Sequence, residues 1–111
     1  MKFDVHHLSA GTAVIRPHGR LTMVATPELR ALVAETVGAG RNRIVVDLSA
    51  TEFIDSSGLG ALVGGLKSAR QAGGDLRIAR PTAQVETVLT LTNLDRVLRA
   101  HSTVEDAFGA A

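Results

Sequence analysis

Residues 43–80 read RIVVDLSATEFIDSSGLGALVGGLKSARQAGGDLRIAR, and the succession of residue types in this stretch decides the fold. The first six, RIVVDL, are an almost unbroken apolar run of strand length, the pattern of an interior strand in a parallel sheet. DLRIAR, 75–80, reads as another strand. Between them lies TEFIDSSGLGALVGGLKSAR, 51–70, read as a helix that sets Leu59, Leu62, Val63 and Leu66 on one face and is closed by Gly73-Gly74. A strand, a crossover helix and a strand define a right-handed parallel unit.

The flanking sequence extends the unit in both directions. KFDVHHL (2–8) and TAVIRPHG (12–19) alternate as strands, and SAG (9–11) between them is a turn signal, giving an N-terminal hairpin. Thr26-Pro27-Glu28 opens a helix, with Thr26 as N-cap; Leu29, Leu32, Val33, Thr36 and Val37 recur at helical spacing, and Gly38 ends it. Beyond Pro81, a third helix carries Val85, Val88 and Leu89. RVLRA (96–100) reads as a short last strand, and Ser102 with Glu105 as the capping box of a terminal helix bearing Val104 and Phe108. The order ββαβαβαβα predicts one α/β domain over residues 1–111. Its mainly parallel five-stranded sheet has an N-terminal antiparallel strand and about four helices.

Bulk properties narrow the function classes. At 111 residues with 45% hydrophobic and 21% charged residues, the chain is long enough to bury one core and is not compositionally disordered. A net charge of +1 without a run of Lys or Arg argues against a nucleic-acid face, and three Phe as the whole aromatic content leave no platform for stacking bases. The absence of cysteine removes disulfides, thiolate catalysis and Cys-based zinc sites. MKFDVHHLSAG lacks the apolar region of a signal peptide, and no apolar run approaches the ~20 residues of a membrane span. A small soluble cytoplasmic domain is expected.

The second helix is peculiar. Opposite its core face stand Ser57, Ala61, Gly64 and Ser68, flanked by Gly60 and Gly65. Interior glycines cost roughly 1 kcal/mol each relative to alanine, so Gly60, Gly64 and Gly65 together cost roughly 3 kcal/mol. Two explanations compete: a partner surface that approaches closely, which we favour, or a neighbouring helix of the same domain. The same face also suits self-association of two copies.

No catalytic constellation emerges. GALVGGLKS (60–68) misses the Walker A spacing through Leu66, and GLGALV lacks the third glycine of a dinucleotide fingerprint. IDSSG is not a nucleophile elbow. His6 and His7 point to opposite faces of a strand, while His18 and His101 stand alone, so no metal site or base is assembled. Ser56 and Ser57 lie where a strand yields to the helix. One is expected to cap it, leaving the other hydroxyl at a helix N-terminus, where a phosphate is favoured by the helix dipole and free N–H groups.

FIDSSGLGALVGGLKSARQAGGDLRI (53–78) strongly resembles the STAS-domain anti-sigma factor antagonists of bacteria. The shared pattern is an apolar residue, Asp, Ser, Ser or Thr, and Gly, then a small-residue helix and Gly-Gly before a strand. IRPHGRLTMVATPELRALV (15–33) looks like the family's second strand and first helix. The resemblance implies a regulatory binding module, not an enzyme, with no cofactor, no metal, no direct nucleic-acid contact and no membrane. Its unphosphorylated form would bind an anti-sigma factor that is itself a serine kinase and so release a sigma factor. That kinase would phosphorylate Ser56 and end the complex, and a PP2C-type phosphatase would restore it. The same resemblance implies a partner-facing surface of Asp55, Ser57, Gly58, Leu59 and Gly60, with Thr22 and Met23 of the loop before the first helix. The family commonly shows G-E-L-D where this chain has Gly19-Arg20-Leu21-Thr22, which changes the charge shown to the partner. A STAS scaffold without the phospho-switch is the alternative reading, and a small hydrolase or nucleotide-binding enzyme is a third.

Overall fold

The computed structural model describes residues 2–9 and 11–109. Strands β1 (Lys2–Ser9) and β2 (Thr12–Leu21) pair antiparallel, with Lys2 opposite His18 and His7 opposite Ala13. The expected turn between them includes Ala10, which lies outside the described residues. Helix α1 (Thr26–Gly38) leads to β3 (Arg43–Asp47), and β4 (Thr51–Ile54) precedes helix α2 (Ser56–Gln71). Then come β5 (Asp75–Ala79), helix α3 (Ala83–Leu91), a 3-10 turn at Leu94–Arg96 and β6 (Ala100–His101). The sheet runs β1-β2-β3-β5-β6, parallel at every pairing except β1 with β2.

The apolar run 44–46 is explained by burial on both faces. Ile44 and Val46 join Ile15, Ile78, Leu29, Leu62 and Leu89 in a core between the sheet and the three helices. Val45 points the other way, with Val14 and Ala79, and is covered by Val104, Ala107 and Phe108. Alternate side chains therefore feed two apolar layers, as the period of a strand requires.

Four local expectations are corrected. Residues 51–54 form a sixth strand rather than the start of the helix: β3 leaves β2 after Ile15↔Val46, and the chain rejoins β2 as β4 at Gly19↔Thr51 and Leu21↔Ile54. This four-residue strand is held from outside. The Thr51 hydroxyl donates to the Pro17 carbonyl at 3.1 Å and the Thr82 hydroxyl to the Thr51 carbonyl at 3.0 Å. The Gln84 amide accepts from the Ile54 N–H at 3.0 Å and donates to its carbonyl at 3.3 Å, in place of a neighbouring strand.

Thr26 does not cap α1. Ala25 occupies that position, and the Thr26 hydroxyl instead donates to the Met23 carbonyl at 3.2 Å, because residues 22–25 already turn into the helix. The strand expected at 96–100 is reduced to Ala100–His101, preceded by the 3-10 turn. The terminal helix at 102–108 is absent: the segment is a series of turns, with the Asp106 N–H donating to Thr103 rather than to Ser102. So short a segment is a poor helix nucleus. Arg77 pins it to the sheet by donating to the Ala107 carbonyl at 2.8 Å and lying 4.5 Å over the Phe108 ring.

Asp47 ends β3 with its side chain fully buried. It accepts from Arg16 Nε at 2.9 Å, from Arg80 and from the Ser49 N–H at 3.1 Å. Burial pushes its pKa up, but the hydrogen bonds from Arg80, Ser49 and Arg16 outweigh this and hold it at about 2.

Candidate functional site

The end of β2, the end of β4 and the start of α2 converge at one point. Leu21 is buried opposite Ile54, and its carbonyl accepts from the Asp55 N–H at 3.4 Å. One turn later, Gly58 is packed so closely that a Cβ there would collide with the Leu21 carbonyl oxygen and stand 2.7 Å from Ile54 Cγ1. Only glycine lets strand and helix meet at this spacing. The close approach sets the loop 22–25 beside the helix N-terminus.

Neither serine caps the helix. Asp55 is the N-cap in extended conformation, and its carboxylate accepts from the Gly58 N–H at 2.9 Å. Ser56 is therefore the first helical residue, solvent-exposed, and its hydroxyl is not needed to close the helix end. Ser57 is half-buried. The positive end of a 16-residue helix dipole points toward this surface.

The residues expected to face a partner divide in two. Ser56, Gly60 and Met23 are exposed, and Asp55, Ser57 and Thr22 are partly so. Gly58 and Leu59 are buried, which corrects their assignment: they anchor the helix to Leu21 and the core instead of presenting a contact surface. Sequence reasoning missed Val24, which is 90% exposed next to Met23 at 70%. Two adjacent apolar residues in a loop, outside any periodic run, were the available signal. Arg20, the residue at the departure from the family loop, is exposed and lies 4.3 Å over the Phe53 ring.

Much of the small-residue face of α2 is used inside the molecule, against the explanation favoured above. Helix α1 packs on it. A Cβ on Gly65 would stand 3.0 Å from Leu76 and 3.4 Å from Val33, and one on Gly64 would stand 2.9 Å from the Arg30 guanidinium. Ala61 and Ala69 are buried as well. The open parts are the N-terminal end, at Ser56 and Gly60, and Ser68 near the other end.

The remaining candidates stay apart. His18 pairs with Asp4 at 2.7 Å on the hairpin, and this bond holds the Asp4 carboxyl below its ordinary range. His6 and His7 are on β1, and His101 is on β6. Among the described residues no group of three His, Cys, Asp or Glu could hold a metal ion, and no helix is long and apolar enough to cross a membrane.

With this geometry, comparison with known proteins is direct. The STAS domain pattern matches residues 6–107, and the chain belongs to that family. A curated Thermotoga maritima relative, described as a candidate anti-sigma factor antagonist, is 42% identical over 73 residues. The alignment covers 66% of this chain and 65% of the relative, so the chain spans just under two thirds of that relative's length. The crystal structure of a Thermotoga maritima protein with the same description has a TM-score of 0.87 at 32% identity, covering 96% of this chain and 91% of that one. The unphosphorylated form of SpoIIAA, an anti-sigma factor antagonist from Bacillus, has a TM-score of 0.82 at 25% identity over 96% of this chain and 93% of that one.

Proposed function

We propose that the chain is an anti-sigma factor antagonist whose binding is switched by phosphorylation of Ser56. The unphosphorylated form binds a serine-kinase anti-sigma factor in the cytoplasm through Ser56, Gly60, Thr22, Met23 and Val24, with Asp55 and Ser57 at the margin, and so frees a sigma factor. The kinase then phosphorylates Ser56, the complex dissociates, and a PP2C-type phosphatase resets the protein.

The observation that carries this reading is the cap. Because Asp55 closes α2, the exposed Ser56 hydroxyl is available for modification without loss of a structural hydrogen bond. A phosphate there adds about −1.5 to −2 charge. The helix N-terminus favours it, so the fold tolerates the group. An acidic group on the partner does not: at ~4 Å and an effective dielectric near 20, repulsion is about 4 kcal/mol per charge pair, on the order of a thousandfold in affinity.

The test is a pull-down from bacterial lysate with wild type and Ser56→Asp as paired baits. A kinase-type anti-sigma factor retained by wild type and lost on Ser56→Asp is the expected result. Equal retention by both baits would show a partner surface that Ser56 does not control.

A further inference from the structure

At the other end of α2 the fold assembles a charge cluster that no stretch of the sequence displays. Arg70, in the last turn of α2, Arg77 on β5, and Arg96 and Arg99 in the connection to β6 line one cleft of about 310 Å³ with Asp75. Four arginines thus line a cleft with a single carboxylate, and two of them are bonded to it. The cleft lies where β6 begins late: Ala100 and His101 pair with Ile78 and Ala79, and the Arg99 carbonyl accepts from the Ile78 N–H at 3.2 Å, so the first half of β5 has no strand beyond it.

The roles of the four arginines differ. Arg77 gives Nε to Asp75 at 3.2 Å and Nη1 to the Ala107 carbonyl, and its guanidinium lies over the Phe108 ring. Arg70 gives one nitrogen, Nε, to Asp75 at 3.2 Å. Asp75 also accepts from the Leu76 N–H at 3.0 Å, so three donors from its own chain already share its carboxylate. Among the described residues, the salt bridges of this group are those two to Asp75, and Arg96 and Arg99 are exposed across the cleft.

We propose that this cleft binds a compact, multiply charged phosphate compound, held by Arg96, Arg99 and the terminal nitrogens of Arg70. Guanidinium groups match phosphate oxygens in paired hydrogen bonds, and several converging on one anion relieve their mutual repulsion. The volume is at the small end for ligand sites. Leu76 is buried and Val97 supplies the exposed apolar contact, so the walls suit a phosphate chain and not a large apolar body. Arg70 lies fourteen residues beyond Ser56, about 21 Å along the helix, so the site is independent of the phosphorylation surface.

The test is calorimetry of the full chain with sodium tripolyphosphate at low salt, with backbone amide NMR to locate the contact. Saturable binding tighter than about 1 mM is expected, with shifts concentrated at Leu76 and 96–99. The double variant Arg96→Gln/Arg99→Gln, at exposed positions, should bind roughly tenfold more weakly or worse. The charge-matched Lys2→Gln/Arg20→Gln should bind within about twofold of wild type. Equal weakening in both double variants, shifts centred on the α2 N-terminus, or a glutamate-rich peptide binding more tightly than tripolyphosphate would each overturn the proposal. Circular dichroism of each variant separates lost binding from lost fold.

Discussion

The Asp55 carboxylate accepts the Gly58 N–H at 2.9 Å, so the residue before the serine pair holds the start of α2. Gly58 is in turn the residue that lets the helix touch the Leu21 carbonyl. One hydrogen bond and one missing side chain therefore set the position of Ser56 relative to the exposed Met23-Val24 pair. Structural duty falls on Asp55 and Gly58, and the exposed Ser56 hydroxyl carries none of it.

This division of labour predicts unequal stabilities. Asp55→Ala should lower the unfolding free energy by about 1 kcal/mol, the usual worth of an N-cap. Ser56→Ala should change it by less than about 0.5 kcal/mol, as at an exposed position outside any cap. Urea denaturation of both variants checks this. An equal loss for Ser56→Ala would mean that the serine hydroxyl does cap the helix.

The glycines of α2 should respond with opposite signs. Gly58→Ala forces a methyl against the Leu21 carbonyl and Ile54, and should cost about 1–3 kcal/mol. Gly60→Ala meets nothing closer than Arg30 at 3.9 Å and should gain up to about 1 kcal/mol from helix propensity. Comparing denaturation midpoints of the two is sufficient. A destabilised Gly60→Ala would mean that the helix cannot accept even an outward methyl there.

Val24 offers a cleaner probe of the proposed partner surface than the serines do. It is 90% exposed, so Val24→Asp should leave stability within about 0.5 kcal/mol of wild type. If residues 22–24 dock an anti-sigma factor, the same change should weaken binding roughly tenfold or more, as for an apolar anchor replaced by a charge. Surface plasmon resonance against the captured partner measures it, and unchanged affinity would remove the loop from the interface.

Asp47 should dominate the acid limb of stability. Its folded pKa of about 2 lies below the ~3.9 of an unfolded aspartate, so its contribution is present above that value and is lost as pH falls from about 5 through 2. The shift corresponds to about 2–3 kcal/mol, measurable as the slope of urea midpoints with pH. Asp47→Asn should flatten that limb and lower stability at neutral pH by about 3 kcal/mol or more, since Arg16 and Arg80 lose their buried counter-charge. Should that variant fail to fold, carboxyl NMR of wild type gives the titration directly; a midpoint near 4 would contradict the network.

The parts of the molecule legible in the sequence are those written as local periodicity. RIVVDL announced a strand buried on two faces, and the structure puts Val46 and Val45 in separate apolar layers. The spacing of Leu59, Leu62 and Leu66 announced a helix, and the hairpin and the Gly73-Gly74 stop followed from turn chemistry. That a serine pair stands where a strand yields to a helix was legible in the same way, but the cap expected from one of the serines is made by Asp55. Where local signals competed, sequence reasoning chose wrongly. Thr26-Pro27-Glu28 looks like a cap, and the Thr26 hydroxyl turns back to Met23 instead. Ser102 and Glu105 look like a capping box, and Arg77 holds that segment as turns.

By itself the sequence determined the hairpin, the three helices, the strands on either side of α2 and the helix start at the serine pair, because each depends on residues within a few positions of one another. Tertiary structure decided the rest. Strand β4 exists because Pro17, Thr82 and Gln84 bond to it from about 30 positions away. The middle of the small-residue face of α2 closed against α1 and β5, with Ser56, Gly60 and Ser68 left open. Arg70, Arg77, Arg96 and Arg99 became one cluster when β5 and β6 were brought side by side. Contacts between distant residues leave no period in a sequence, and so the fold had to form before any of these features existed.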